Sequence, residues 1–178
     1  MKRVVGEVLR HFGHLDILVN DAGIFFLGSL LDSTDEQFEQ MVNINVRAVF
    51  LASREAAKVM RVGGRIINIG SNLGERVPFP EAGLYAMSKS AVAGFTRAWA
   101  RDLGPKGITV NCVQPGPINT DMNPEDSDFS APQKAGTAIG RYGQPSEVAD
   151  LVLFLASAEA SNITGAIFNT DGASTPDR

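Results

Sequence analysis

The chain has 178 residues, with 16 Lys and Arg against 20 Asp and Glu and a formal net charge of −4, a length that suits one domain burying ~70% of its unfolded surface. Hydrophobic residues make up 44% and charged residues 20%; this excludes disorder, and the weak, dispersed negative charge offers nothing to nucleic acid or an anionic membrane. No apolar run approaches the ~20 residues of a membrane span; Gly6, Glu7 and Arg10 interrupt any signal-peptide core, and the single Cys112 excludes an internal disulfide and a cysteine-based metal cluster. A cytoplasmic setting is expected.

In chain order, a helix is predicted from about Lys2 to Phe12, then a short apolar strand over residues 15–20. Ser33-Thr34-Asp35-Glu36 has capping-box spacing ahead of a helix whose inward positions are Phe38, Met41, Val42, Val49, Ala52, Ala56 and Val59. A second strand spans residues 65–70. A helix starting near Tyr85 ends at Leu103-Gly104-Pro105, and its apolar stripe is Leu84, Met87, Ala91, Phe95 and Ala98. A third strand follows at 108–113, and a fourth at 165–169 after a helix opened by Pro145 and Glu147. The first three strands are apolar at nearly every position, as parallel strands buried on both faces are. Alternation of strands and helices predicts an α/β fold, a doubly wound, Rossmann-like parallel sheet. Residues 114–144 are dense in Pro, Gly, Asp and Ser and exceed ordinary loop length, so they are expected to form a mobile substrate lid that only Met122, Phe129 and Ile139 could pin.

In open α/β sheets, ligands bind outside the carboxyl ends of the strands. Small or polar turns follow three of them here: Asn20-Asp21-Ala22-Gly23, Gly70-Ser71-Asn72, and Gln114-Pro115-Gly116-Pro117. The sharper feature is Tyr85-Ala86-Met87-Ser88-Lys89, which places a phenol and an ammonium on one helical face. Bringing a free Tyr from pKa ~10 to neutrality takes about 4 kcal/mol, which one cation at ~4 Å supplies at an effective dielectric of ~20. The pair is therefore suited to proton transfer at physiological pH. Asn45 falls on an inward helical stripe, where an amide either satisfies buried backbone, traps water, or opens a wet path toward Tyr85 and Lys89. His11 and His14 read as solvated residues with no third metal ligand, and Cys112 as a small core hydrophobe. Ser71 as a hydrolase nucleophile is set aside, since no histidine follows it.

Taken together, these residues resemble the short-chain dehydrogenase/reductase family. Asn20-Asp21-Ala22-Gly23 resembles its N-N-A-G turn, Asn45 its helical Asn, Ser71 its catalytic Ser, and Tyr85-x-x-x-Lys89 its signature pair. Pro115-Gly116 with Ile118 and Thr120 resembles the nicotinamide-side motif, and Thr164-Gly165-Ala166 through Asp171-Gly172 the last strand and tail. The resemblance implies NAD or NADP as cofactor and a small-molecule alcohol or ketone as substrate. It also implies a homodimer or homotetramer, paired through two long helices. Tyr85 would pass the proton, with Lys89 lowering its pKa and holding the nicotinamide ribose. Ser71 would orient the carbonyl, and Asn45 would hold a proton-relaying water. Asn20 to Gly23, Tyr85, Lys89, Pro115, Gly116, Ile118 and Thr120 would contact the cofactor. No metal site is implied.

Asp21 departs from the family turn, and Ser71 lies fourteen residues before Tyr85, one more than the commonest spacing, which would select Asn72. The hydroxyl of Ser71 and its place at the strand end favour Ser71. The family's opening strand and glycine-rich phosphate loop have no counterpart in the sequence. Residues 1–178 are thus expected to form a partial domain with an exposed first strand, prone to association and weak in dinucleotide affinity. The alternative to an oxidoreductase is a non-catalytic binding or regulatory module that keeps the site residues.

Overall fold

The structure, a computed structural model, describes residues 1–175. Helix α1 (Lys2–Phe12) ends at Gly13, which turns the chain at φ 78°, and strand β1 (Ile17–Asn20) follows. Helix α2 (Asp35–Met41) is capped by Thr34, whose hydroxyl accepts from the Gln37 amide at 3.2 Å while Thr34 N–H donates to the Gln37 side chain at 3.0 Å. That is a capping box set one residue beyond the predicted Ser33. A π turn (Val42–Arg47) leads without a break into α3 (Ala48–Ala57). Then come β2 (Arg65–Ile69), a 3₁₀ turn (Asn72–Gly74), α4 (Gly83–Leu103), β3 (Thr109–Pro115), α5 (Ser130–Ala135), α6 (Pro145–Ala156) and β4 (Ile167–Thr170).

The four strands form one parallel sheet in the order β1-β2-β3-β4. Ile17 lies opposite Arg65, Arg65 opposite Thr109, and Cys112 opposite Ile167. Successive side chains leave a strand on opposite faces, so neighbouring residues of β2 and β3 serve different layers. On one face, Ile66, Ile108 and Val110 pack with Ala56, Met60 and Ala100 of the α3/α4 layer, and Cys112 packs with Val49 and Val92. On the other, Ile67 and Val113 pack with Leu155 and Val152 of α6. At the amino end of β2 the buried Arg65 guanidinium donates to the carbonyls of Gly63 (2.7 Å), Gly64 (3.2 Å) and Ser157 (3.3 Å), tying that edge to the end of α6.

The expected exposed first strand is found: β1 is half exposed rather than buried on both faces, with Ile17 at 46% and Val19 at 41%, and no strand of the described chain covers its outer edge. Two expectations need correction. The sheet-facing side of α4 is Ala86, Lys89, Val92, Ala93, Thr96 and Ala100, not the stripe through Leu84, Met87 and Ala98. Small side chains let this long helix lie close to the strands, which leaves Met87 and Ala98 outside and Phe95 stacked on Trp99 at 4.4 Å. Residues 114–144 are pinned neither by Met122 and Phe129 nor by Ile139, all exposed, but by Tyr142, which is 1% exposed. The Tyr142 hydroxyl donates to Asn123 Oδ1 (3.2 Å), and Asn123 and Gln133 exchange amide hydrogen bonds at 3.0 and 3.1 Å.

Candidate active site

The site lies where the carboxyl ends of β1, β2 and β3 meet the first turns of α4. Gly70 continues the ladder past β2, donating to Val113 O at 2.7 Å, and it must be glycine. A Cβ there would stand 2.8 Å from Cys112 Sγ and 2.9 Å from Gln114 Cγ. Ser71 is therefore held tightly against β3 at the strand end, 7% exposed, where its Oγ accepts from Leu73 N–H at 3.2 Å. Asn72 turns away: its amide donates to Ser174 Oγ at 2.6 Å. The local geometry thus presents Ser71, not Asn72, to Tyr85.

Tyr85 and Lys89 occupy successive turns of α4. The Lys89 ammonium donates to Ile69 O at 2.9 Å and lies 5.5 Å from the centre of the Tyr85 ring. Phe25, which sequence reasoning missed, packs edge-on against that ring at 4.9 Å and 89°. It sits in a loop without periodicity, so no pattern marked it. Burial pushes the Tyr85 phenol above its ordinary value, opposed by the Ser71 hydroxyl beside it. Burial likewise holds Lys89 below its ordinary value, with Cys112 and Asp21 opposing. A Tyr85 lowered by Lys89 is not what the polypeptide alone produces. Burial is the largest influence on the phenol, and the Lys89 head is turned to the Ile69 carbonyl.

Asn45 lies in the π turn, a distortion common at functional sites. It is 2% exposed and fully engaged: Nδ2 donates to Ile24 O (2.9 Å) and Ser88 Oγ (3.1 Å), and Oδ1 accepts from Ile24 N–H (2.9 Å). Of the readings open to it, satisfaction of buried backbone is the one observed. The amide also borders the site, because a Cβ at Gly23 would lie 3.4 Å from Asn45 Oδ1 and 3.6 Å from Lys89 Nζ. Gly23, Asn45 and Lys89 therefore converge on one small space.

Asn20 behaves otherwise than expected. Its amide points inward, donating to Ser53 Oγ (3.0 Å) and Asn68 Oδ1 (2.8 Å), and Asn68 passes the chain on to Thr96 Oγ1 (2.9 Å). This buried polar string ties α3, β1, β2 and α4 together beneath the site and leaves the Asn20 side chain no free donor toward a ligand in that direction. Asp21 and Ala22 are exposed at the rim. Pro115 and Gly116 leave β3 against Asp171, whose Cβ would lie 2.6 Å from a Cβ on Gly116. Ile118 packs on Gly143. Thr120 is exposed in a tight turn with Asn123 and makes no hydrogen bond to the Tyr85–Lys89 group among the described residues.

The family of proteins described as enoyl-(acyl carrier protein) reductase matches residues 1–175. A cyclic-di-GMP-binding biofilm dispersal mediator protein of Escherichia coli is 48% identical over 94% of this chain and 70% of its own length. A probable tetrahydroxynaphthalene reductase of Zymoseptoria tritici is 38% identical over 96% of this chain and 69% of its own. The crystal structure of a short-chain dehydrogenase from Burkholderia cenocepacia in complex with NADP superposes with a TM-score of 0.95 at 47% identity, covering 97% of this chain and 71% of that one.

Proposed function

Because the chain belongs to the short-chain dehydrogenase/reductase family, we propose that it is an NAD(P)-dependent oxidoreductase that interconverts a small-molecule ketone and alcohol at Tyr85. The observation that carries this reading is the meeting of Ser71, Tyr85, Lys89 and Asn45 from three separate elements in one buried corner. The structure of the Burkholderia cenocepacia relative holds NADP, and the Zymoseptoria tritici relative is named a reductase. A binding module that does no chemistry has no need of a buried phenol beside a hydroxyl and an ammonium, so the non-catalytic alternative is not favoured.

The residues present fit the ribose end of such a cofactor. Lys89 has three N–H donors, one of them used by Ile69 O, and Gly23 leaves open the space it shares with Asn45 Oδ1. When bound, the nicotinamide supplies or accepts the hydride at the substrate carbon. In reduction, Tyr85 donates its proton to the carbonyl oxygen, with the Ser71 hydroxyl beside the phenol. Ser71 hydrogen-bonds the same oxygen and fixes its angle to the phenol. Lys89 holds the ribose hydroxyls, and Asn45, through Ile24 and Ser88, fixes the wall beside Lys89. Pro115, Gly116, Ile118 and Thr120 flank the nicotinamide. Asp21, Ala22 and Gly23 approach through backbone.

Tyr85→Phe tests the assignment. It keeps the ring against Phe25 and removes the proton donor, so carbonyl reduction should fall ~10²–10⁴-fold. NADPH affinity, read by fluorescence titration, should be nearly unchanged. Near-normal turnover by Tyr85→Phe would remove Tyr85 from the chemistry.

A further inference from the structure

We propose that Gln114 is a substrate-contacting residue of the same site, whose carboxamide selects substrates bearing a second oxygen beside the reacting carbonyl; this rests on the oxidoreductase reading above. Side chains alternate along β3. Val113 packs toward α6 and Cys112 toward α3 and α4, so Gln114 shares the face of Cys112, the face that carries Tyr85 and Lys89. It fills the space left by the missing Cβ of Gly70, the residue before Ser71, and it directly precedes Pro115-Gly116. Its carboxamide is thus flanked in the fold by the two turns assigned to substrate and nicotinamide.

Among the described residues four carboxamides are buried, and three have partners on both the oxygen and nitrogen side. Asn45 pairs with Ile24 and Ser88, Asn68 with Asn20 and Thr96, and Asn111 with Ile163 O and Ala166 N–H. Gln114 is 0% exposed, and neither Oε1 nor Nε2 finds a partner among the described residues. An orphaned buried amide is unfavourable, and a Met of similar size would fill the same volume without that penalty. A polar partner from outside the polypeptide resolves the conflict. Burial does not separate Gln114 from the site, because Ser71, Lys89 and Asn45 are themselves 7%, 6% and 2% exposed. A carboxamide offers two N–H donors and one acceptor oxygen, which suits the neighbouring oxygen of a 1,2-diketone or α-hydroxyketone and gives a simple ketone nothing.

The test compares a matched pair, 1-phenylpropane-1,2-dione and propiophenone, with wild type, Gln114→Met and Gln114→Asn. Two readouts are used: kcat/KM with NADPH, and the shift in melting temperature that each probe produces at saturating NADP⁺, where no turnover occurs. Wild type should favour the dione by about tenfold or more. Gln114→Met should lower the dione-to-propiophenone ratio of kcat/KM and the dione-induced melting shift about tenfold and to near zero respectively, and Gln114→Asn, whose amide is drawn back by one methylene, should lower both by less. Absence of a dione preference in wild type, or an equal loss on both probes, overturns the inference while the oxidoreductase reading stands. A Gln114-dependent shift with the dione but no turnover of either probe supports the contact and overturns the oxidoreductase reading. Neither shift nor turnover overturns both.

Discussion

That Tyr85 and Lys89 share a helical face is legible from spacing alone, because an i,i+4 pair does so whatever surrounds it. What surrounds them is not legible: Phe25 and Ser71 reach Tyr85 from other elements, and burial, not Lys89, dominates the Tyr85 proton affinity. Asn20 shows the same limit. Its position after a strand reads as a ligand turn, yet its partners Ser53 and Asn68 lie 33 and 48 residues away in sequence. The choice between Ser71 and Asn72 also turns on a distant residue, since Asn72 is committed to Ser174. Ser71→Ala should lower kcat by more than Asn72→Ala, and Asn72→Ala should act mainly on stability by about 1 kcal/mol through the lost Ser174 bond. The reverse ranking in steady-state kinetics would move the catalytic assignment to Asn72.

The strands are legible because each is short, apolar and bounded by polar turns, and their ends move by no more than two residues in the structure. The sheet-facing side of α4 is not, because Ala86, Ala93 and Ala100 are chosen for closeness and not for size. Nor is the anchoring of residues 114–144, where Tyr142 and Thr137 are buried and the Ala138 N–H donates to Gly172 O at 2.8 Å. Tyr142→Ala should destabilise the fold by about 3 kcal/mol, as loss of a buried aromatic ring does, measured by urea unfolding. Proteolysis should cut the segment first near the exposed Phe129 and slow when cofactor and substrate are added; initial cleavage elsewhere, with no ligand effect, would count against a substrate lid. The segment leads into α6 through Glu147, which pairs with Arg141 at 2.7 Å and accepts the Gln144 N–H at 2.7 Å. Arg141 and that amide hold the Glu147 carboxyl down to about 2. A carboxyl whose folded value lies below its unfolded ~4.3 stabilises the fold above that pH and loses the effect as pH falls toward 2. Thermal stability should therefore decline between pH 5 and pH 2, and Glu147→Gln should flatten that decline. An identical slope in wild type and variant would dismiss the contribution.

At the scale of the molecule, the parallel sheet sets three turns side by side, and that arrangement brings residues of β2, the π turn and α4 to one corner. The same sheet leaves β1 as an edge among the described residues, with Ile17 and Val19 half exposed. Unpaired strand edges beside apolar surface associate. Light scattering across a concentration series should show a mass that grows with concentration, and a constant monomer mass would contradict this. None of the described helices is long and apolar enough to cross a membrane. The proposed function of this corner is to guide a hydride between nicotinamide and a carbonyl carbon while Tyr85 handles the proton. Its most direct test is incubation of the protein with NADPH deuterated on the transferred face of C4 and a prochiral ketone, followed by mass spectrometry of the alcohol. One deuterium on the carbinol carbon of a single enantiomer is expected with wild type, and ~10²–10⁴-fold less product with Tyr85→Phe. Alcohol without deuterium, or no alcohol from wild type at saturating cofactor, would contradict it.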